Sequence, residues 1–319
     1  MINVVYMGTP EYAKVILDKL IKDSDINVSL VLTQPDRPVG RKKILTPPPV
    51  KELALKNSIE VLQPNRLKED GIKEAIVAKK PDFIIVAAFG QLLPKEILDI
   101  APCINLHASI LPKYRGASPI QQAILNGDEY SGVSAMLMDE GLDTGDMLGY
   151  YFIKTEEAPT LDLMMQSLSD LAAVLTVDVI KNYNNILPIK QLNALASKCS
   201  KIKKSDGVVD FSSAINLYRK YCAYFGWPGV FLESGLKMYG VDLIECESKN
   251  QAGEILEIDD NFIRVGCLEG SIKIKELQPK SKSKMAAKAY ILGKRLKVGD
   301  IILWWVRLYS ALLNWWDKK

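Results

Sequence analysis

Histidine is almost absent from this chain, which has one imidazole, at position 107, in 319 residues. The five cysteines are far apart and include no Cys-x-x-Cys pair. Structural zinc sites draw their four ligands chiefly from His and Cys, so we expect no metal centre. An odd number of scattered cysteines also argues against a disulfide framework and favours a reduced, cytoplasmic protein.

The sequence also has no uninterrupted apolar run long enough to span a bilayer, which takes about 20 residues. The first ten residues have neither a basic start nor an apolar core, so no secretory signal is expected. Residues 301–319 are rich in Trp, but polar residues interrupt the segment. We interpret this tail as a core-docking or interfacial helix rather than a membrane span.

Hydrophobic residues make up 48% of the chain and charged residues 25%, as in ordinary globular proteins. The net charge of +3 conceals a difference between the two parts of the chain. Residues 1–189 have 19 Lys and Arg against 24 Asp and Glu, whereas residues 190–319 have 22 against 14. The basic second part indicates either a polyanionic partner or merely a Lys-rich solvated surface.

Apolar, β-branched runs alternate with helical patterns in the first part of the chain. The predicted strands are 2–7, 28–33, 82–88 and 102–107, and helical patterns fall near 13–20, 49–57, 71–79 and 160–183. This alternation predicts an α/β fold with a doubly wound, mostly parallel, Rossmann-like sheet. Ligands bind beyond the carboxyl ends of such strands, which places Gly8, Phe89, Gly90 and residues 105–107 at one rim.

The pattern changes after about residue 190. A helix is predicted near 212–224, and short strand-like runs with turn signals follow it. We therefore predict a catalytic domain over 1–189, a linker over 190–208 and a smaller β-barrel, OB-like, over 209–319.

Residues 34–50 form a basic, proline-rich segment with no periodicity. It has five prolines, and its basic residues are Arg37, Arg41, Lys42 and Lys43. Its position after the second predicted strand favours a mobile anion-binding arm over an ordinary solvated loop.

Asn105 and His107 end a predicted strand on the same face, roughly 6–7 Å apart. A lone histidine is more often structural than catalytic, but here an amide donor accompanies an imidazole that can move a proton. Residues 138–146 add four carboxylates among two glycines, and one of these could orient the imidazole.

Residues 104–124 (INLHASILPKYRGASPIQQAI) and 132–148 (GVSAMLMDEGLDTGDML) resemble two signature blocks of the formyltransferase family that uses 10-formyltetrahydrofolate. The resemblance implies that Asn105, His107 and Asp143 are the catalytic residues and that no metal takes part. It also implies folate contacts from two segments and one carboxylate: Ser109, Ile110, Leu111 and Pro112; Phe89, Gly90, Gln91 and Leu92; and Asp139.

Within that family, the resemblance extends to members that formylate methionyl-tRNA. It lies in residues 4–13, 34–51, 200–211 and 278–300. The implied partner is initiator Met-tRNA, held at its acceptor arm by Arg37, Arg41, Lys42 and Lys43 and at its body by the second domain. A monomer is expected, because the protein must accommodate a large tRNA.

Two departures from the family pattern stand out. Tyr6 replaces a usual Phe, and in residues 223–231 only Trp227-Pro228 remains of the family's run.

Three alternatives remain open at this stage. One is an enzyme on the same scaffold with a different acceptor, either a small-molecule amine or water. Another is an RNA-binding protein with a relic transferase domain. The third is a nucleotide-dependent oxidoreductase, although Gly8-Thr9-Pro10 is not the Gly-x-Gly-x-x-Gly fingerprint.

Overall fold

The computed structural model describes residues 1–40, 42–155 and 158–302, which divide into two compact units. Described residues 1–123, 128–155 and 162–201 belong to the first unit. The second unit takes residues 124–127, 158–161 and 202–302. Arg41 and most of the Trp-rich tail lie outside the described residues.

Strands and helices alternate along the first unit. In chain order they are β1 (Ile2–Gly8), α1 (Glu11–Lys22), β2 (Ile26–Leu32), β3 (Arg37–Val39), β4 (Ile44–Thr46), α2 (Pro49–Lys56), β5 (Val61–Leu62), α3 (Ile72–Ala78), β6 (Phe83–Ala87), α4 (Lys95–Leu98), β7 (Cys103–His107), β8 (Arg115–Gly116), α5 (Pro119–Asn126), β9 (Tyr130–Leu137), β10 (Met147–Lys154), α6 (Leu161–Asn182) and β11 (Lys198–Cys199).

Seven of these strands form one sheet in the order β10-β9-β7-β6-β1-β2-β5. β1 pairs in parallel with β2 on one side and with β6 on the other, and β6 pairs in parallel with β7. The predicted doubly wound, mostly parallel sheet is confirmed. β9 and β10 run antiparallel at one edge. The sequence pattern predicts neither of them, because small residues such as Ser131, Gly132 and Ser134 dilute the strand signal of β9.

The sheet is covered on both faces. Neighbouring residues of each strand point to opposite faces, and each face packs against helices. Ile84 and Val86 share a buried cluster with Ile76 of α3 and Ile97 of α4. On the other face, the Tyr6 hydroxyl donates a hydrogen bond of 2.5 Å to the Ala13 carbonyl of α1. Burial on both sides explains why β6 is entirely apolar.

Residues 34–50 contain regular structure that the sequence pattern does not reveal. β3 and β4 form an antiparallel hairpin, and Gly40 and Lys43 at its turn have φ angles of 71° and 49°. The base of the hairpin is fixed by the Asp36–Lys51 ion pair at 2.8 Å. Lys42 and Lys43 therefore lie at the end of an anchored hairpin.

α6 has the length and apolar composition of a membrane-crossing helix, and it is the one such helix among the described residues. Over half of its most apolar stretch is buried in the protein. Leu168 and Ala172 are fully buried, as in the core helix of a soluble protein.

The second unit contains an antiparallel sheet and two α-helices of ten and seven residues within 202–302. Its elements are α7 (Ala214–Ala223), β12 (Val230–Phe231), β13 (Lys237–Glu245), β14 (Ile255–Ile258), β15 (Ile263–Gly266), β16 (Ser271–Gln278), β17 (Met285–Ala286) and α8 (Ala287–Gly293). The strand order is β12-β13-β16-β15-β14, with β17 also paired to β16. Phe211, Ile263 and Ile274 lie in its buried core. The predicted change from an α/β pattern to short strands is confirmed.

Ile84→Ala tests the central position of β6. Removing a fully buried side chain that packs between layers should lower the free energy of unfolding by about 2–5 kcal/mol. Urea unfolding followed by circular dichroism measures this loss. Leu55→Ala on α2 is the control, because Leu55 is 56% exposed and should change little. Equal stability of the two variants would contradict this account of the core.

Candidate active site

The carboxyl ends of β6 and β7 open into a cavity of about 670 Å³. This size is typical of small-molecule sites. Its wall is largely apolar, with contributions from Phe89, Leu106, Ile120, Met136 and Met138. Asn105, His107 and Asp143 supply polar groups to the same cavity. An apolar cavity with a few convergent polar groups is typical of a small-molecule or cofactor site.

The structure brings the three predicted catalytic residues together. The Asn105 amide donates to Asp143 Oδ1 at 3.4 Å, and His107 Nδ1 lies 3.7 Å from Asp143 Oδ2. The His107 and Asp143 side chains are only 7% and 11% exposed. Asn105 and His107 point to the same side because they are two residues apart on β7.

His107 is held by a backbone carbonyl on its far side. Its Nε2 lies 2.9 Å from the Tyr114 carbonyl oxygen, which can only accept a hydrogen bond. The proton of the neutral ring is therefore on Nε2, and the lone pair of Nδ1 is left on the side of Asp143. An imidazole in this tautomer can accept a proton at Nδ1 beside a carboxylate.

Asp143 is positioned by a glycine amide. The Gly116 N–H donates to Asp143 Oδ2 at 2.8 Å. Gly116 has a φ of 125°, and an added Cβ would lie 2.1 Å from the Cys199 carbonyl oxygen of β11. Only glycine allows β8 to pair this closely with β11 while presenting its N–H to the carboxylate.

Two other polar side chains at the cavity stay neutral. Burial raises the pKa of the Cys199 thiol, and the nearby Asp143 carboxylate acts in the same direction. That thiol donates to the Tyr114 carbonyl at 3.2 Å. Burial also raises the pKa of Tyr12, whose hydroxyl donates to the Leu106 carbonyl at 3.3 Å. Both groups support the backbone around His107.

The predicted folate residues fall into three places. Phe89, Gly90, Gln91 and Leu92 line the cavity. Ser109, Ile110, Leu111 and Pro112 form the turn after β7, outside the described lining, where the Ser134 hydroxyl joins the Ser109 carbonyl to the Leu111 N–H. Asp139 caps a neighbouring turn, because its carboxylate accepts hydrogen bonds from Gly141 and Thr144.

The predicted tRNA residues lie on the β3–β4 hairpin. Lys42 and Lys43 are exposed at its turn, and Arg37 donates to the Gln34 side chain at 3.1 Å. Among residues 1–40, 42–155 and 158–302, no cluster of His, Cys, Asp and Glu could hold a metal ion.

No sequence pattern singles out Gly116 or the Tyr114 carbonyl. Gly116 lies inside the 104–124 block and follows Arg115. A glycine at this place, with no turn assigned to it, is the one sequence feature that could have indicated a close backbone approach. The carbonyl is a backbone group and has no sequence signal at all.

Comparisons with known proteins identify the family to which this chain is similar. The formyl transferase model matches residues 2–199, and the model of the formyl transferase C-terminal domain matches residues 201–295. The chain is 56% identical to a methionyl-tRNA formyltransferase of Sulfurovum sp. over 94% of this chain and 99% of that one. A second methionyl-tRNA formyltransferase, from Nitratiruptor sp., is 52% identical over 93% and 99%.

A solved structure has a similar fold. It is an N-formyltransferase from Helicobacter canadensis in complex with folinic acid and dTDP-3-aminofucose, with a TM-score of 0.66. The match covers 86% of this chain and 99% of that one at 19% identity.

Gly116→Ala tests the link between β11 and the Asp143 carboxylate. The clash with Cys199 should displace the Gly116 N–H and cost more than the ~1–3 kcal/mol that a positive φ alone costs a non-glycine residue. Urea unfolding gives this cost. Gly71→Ala is matched for positive φ, at 83°, but has open space around it. If both variants were destabilised equally, the close approach of β11 would not be the constraint.

Proposed function

The chain belongs to the formyl transferase family, and from this membership we propose that it formylates initiator Met-tRNA. The formyl group of 10-formyltetrahydrofolate passes to the free α-amino group of the methionine. The observation that carries the proposal is the convergence of Asn105, His107 and Asp143 in one cavity. The methionyl-tRNA formyltransferases matched over nearly the whole chain support this acceptor.

The cavity fits a folate. Its volume of about 670 Å³ and its apolar wall suit a flat heteroaromatic ring. We assign Phe89, Gly90, Gln91 and Leu92 to the pteridine side, since they line this space. Asp139 and the 109–112 turn are assigned to folate by the family resemblance, with the turn fixed over β9 by Ser134.

His107 moves the proton in this proposal. Its Nδ1 has the lone pair, because Nε2 donates to the Tyr114 carbonyl. The neutral α-amine attacks the formyl carbon and loses its proton to Nδ1. The bond between the formyl carbon and N10 of the folate then breaks, and the imidazolium returns the proton to N10. Asp143 Oδ2, 3.7 Å away, stabilises the imidazolium and holds the orientation of the ring.

Asn105 stabilises the negative charge that develops on the formyl oxygen. Its side-chain amide is fixed by Asp143 Oδ1, and the second N–H of that amide remains for the oxygen. Removal of one pre-oriented donor of this kind typically lowers kcat by a factor of ~10²–10³.

The tRNA is held by two basic regions in this proposal. Arg37, Arg41, Lys42 and Lys43 of the 34–50 segment engage the acceptor arm, and the second unit, proposed to be a β-barrel, binds the tRNA body. The support is charge, because residues 202–319 have 19 Lys and Arg against 14 Asp and Glu. The described part of the hairpin also offers Lys42 and Lys43 to solvent from an anchored base.

We propose further that the protein is a cytoplasmic monomer that does not bind membranes. A monomer leaves both basic regions free for one large tRNA. Light scattering during size-exclusion chromatography should give a single species near 35.6 kDa. A stable dimer would overturn this part of the proposal.

Alanine variants of Asn105, His107 and Asp143 test the catalytic assignment. Each should lower kcat by at least ~10² while leaving the Kd for Met-tRNA nearly unchanged, because the reacting groups are lost and the basic surface is not. Formyl transfer from 10-formyltetrahydrofolate to initiator Met-tRNA is the assay. Elongator Met-tRNA and small amines serve as competing acceptors.

Asp146→Ala is the matched control for the catalytic set. Asp146 lies in the same acidic block but outside the described lining of the cavity, so its variant should retain kcat. Full turnover in all three catalytic variants, or faster transfer to a small amine than to tRNA, would contradict the proposed function.

Removing the charges at the hairpin tests the tRNA contact. The Arg41→Ala, Lys42→Ala, Lys43→Ala variant should raise KM for Met-tRNA with little change in kcat. The slope of log Kd against log salt should also flatten by about one counterion per lost phosphate contact. A triple variant at Lys56, Lys68 and Lys73, exposed lysines of the same unit, controls for net charge. Equal effects of the two triple variants would reduce the hairpin's role to bulk charge.

A further inference from the structure

We infer that Gln191 is a positioning residue that fixes the backbone of Asp143 for the reaction. Its side-chain amide does this while hydrogen-bonded to the buried guanidinium of Arg115. The inference rests on the proposed function, because that function makes Asp143 a catalytic residue. Neither signature block contains Gln191, which lies over 40 residues after the second one.

The Asp143 backbone needs an external support. Its φ of 54° lies in the left-handed region, where a non-glycine residue is strained by ~1–3 kcal/mol. Such a residue keeps this conformation only where its surroundings impose it. The hydrogen bonds from Gly116 and Asn105 hold the carboxylate but leave the main-chain carbonyl of Asp143 to be fixed from elsewhere.

Gln191 supplies that support. Its Nε2 donates to the Asp143 carbonyl at 3.0 Å and to the Gly145 carbonyl at 2.7 Å. Its Oε1 accepts a hydrogen bond of 2.9 Å from Arg115 Nε. Because a guanidinium can only donate, Arg115 determines which end of the amide is the oxygen. The NH₂ end must then face the two carbonyls of the 143–145 turn.

These contacts close a ring around Asp143. Arg115 precedes Gly116, whose N–H holds the Asp143 carboxylate, and Arg115 also anchors Gln191, which holds the Asp143 carbonyl. Strand β8 therefore holds both the carboxylate of Asp143, through Gly116, and its backbone carbonyl, through Arg115 and Gln191. A shift of Gln191 would turn the carboxylate relative to His107.

The burial pattern around Gln191 supports a functional reason for its position. Gln191 is 9% exposed, whereas Leu187, Ile189, Leu192 and Leu195 in the same segment are between 62% and 85% exposed. The hydrophobic effect alone would bury the aliphatic side chains and expose the amide. Two backbone hydrogen bonds between Ile189 and Met147 fix the segment in this orientation.

Gln191→Met tests the inference, because methionine keeps the length of the side chain but cannot hold the carbonyls. We expect kcat to fall about 10- to 100-fold, the range that a displacement of about 1 Å at a catalytic group produces. KM for both substrates should stay within twofold, since Gln191 lies outside the described lining of the cavity. If Gln191→Met does not fold, Gln191→Glu still accepts from Arg115 and loses the donor, so it should show the same loss of kcat.

Asn193→Ala is the matched control. The Asn193 Oδ1 accepts a hydrogen bond of 3.0 Å from Arg115 Nη2, so it contacts the same guanidinium. Within the described part of the chain, Asn193 makes no hydrogen bond to Asp143. This variant should retain kcat. A loss equal to that of Gln191→Met would mean that Arg115 packing, not the support of Asp143, is what matters.

A double-variant cycle separates positioning from a general structural effect. If Gln191 acts through Asp143, Gln191→Met should cause no further loss of kcat in an Asp143→Ala background. If the two losses of kcat multiply in the double variant, the inference is overturned. Wild-type kcat in both Gln191→Met and Gln191→Glu would overturn it as well. Wild-type kcat in Asp143→Ala itself would instead count against the proposed function, so the two failures can be told apart.

Discussion

A nearly buried carboxylate, that of Asp143, is the group on which the rest of the site depends. A charge removed from water is expensive unless surrounding donors replace the lost hydration. Here the Gly116 N–H and the Asn105 amide donate to its two oxygens, and His107 stands beside it. Each of these partners is fixed in turn by a strand. The position of one negative charge therefore links β7, β8 and the loop between β9 and β10.

The sheet explains why such a site can form at this edge. β6 and β7 are parallel and end together, so the loops after them meet above one rim. The antiparallel strand β9 then sets Met136 opposite Asn105 and Ser134 opposite His107. An apolar wall and the pair of polar groups proposed to be catalytic result from one pattern of strand pairing. Formyl transfer needs both, because the donor is largely flat and the reacting groups are polar.

Sequence patterns were sufficient to predict a strand that is buried on both faces. They were also sufficient to group residues in one site where the motif is long. The apolar run of β6 predicts a central strand, and the two signature blocks predict Asn105, His107 and Asp143 as one site. They were insufficient where small or polar residues form strands, as in β9, or where proline-rich sequence forms a hairpin, as in β3 and β4. In those segments long-range pairing outweighs local preference.

The sequence by itself determined the family resemblance of this protein, through two long blocks that contain one imidazole, one amide and one carboxylate. The tertiary structure decided how those groups are held. The tautomer of His107 depends on the Tyr114 carbonyl, and the conformation of Asp143 depends on Gly116 and Gln191. These supports are backbone groups or distant side chains, and only folding brings them within hydrogen-bonding distance.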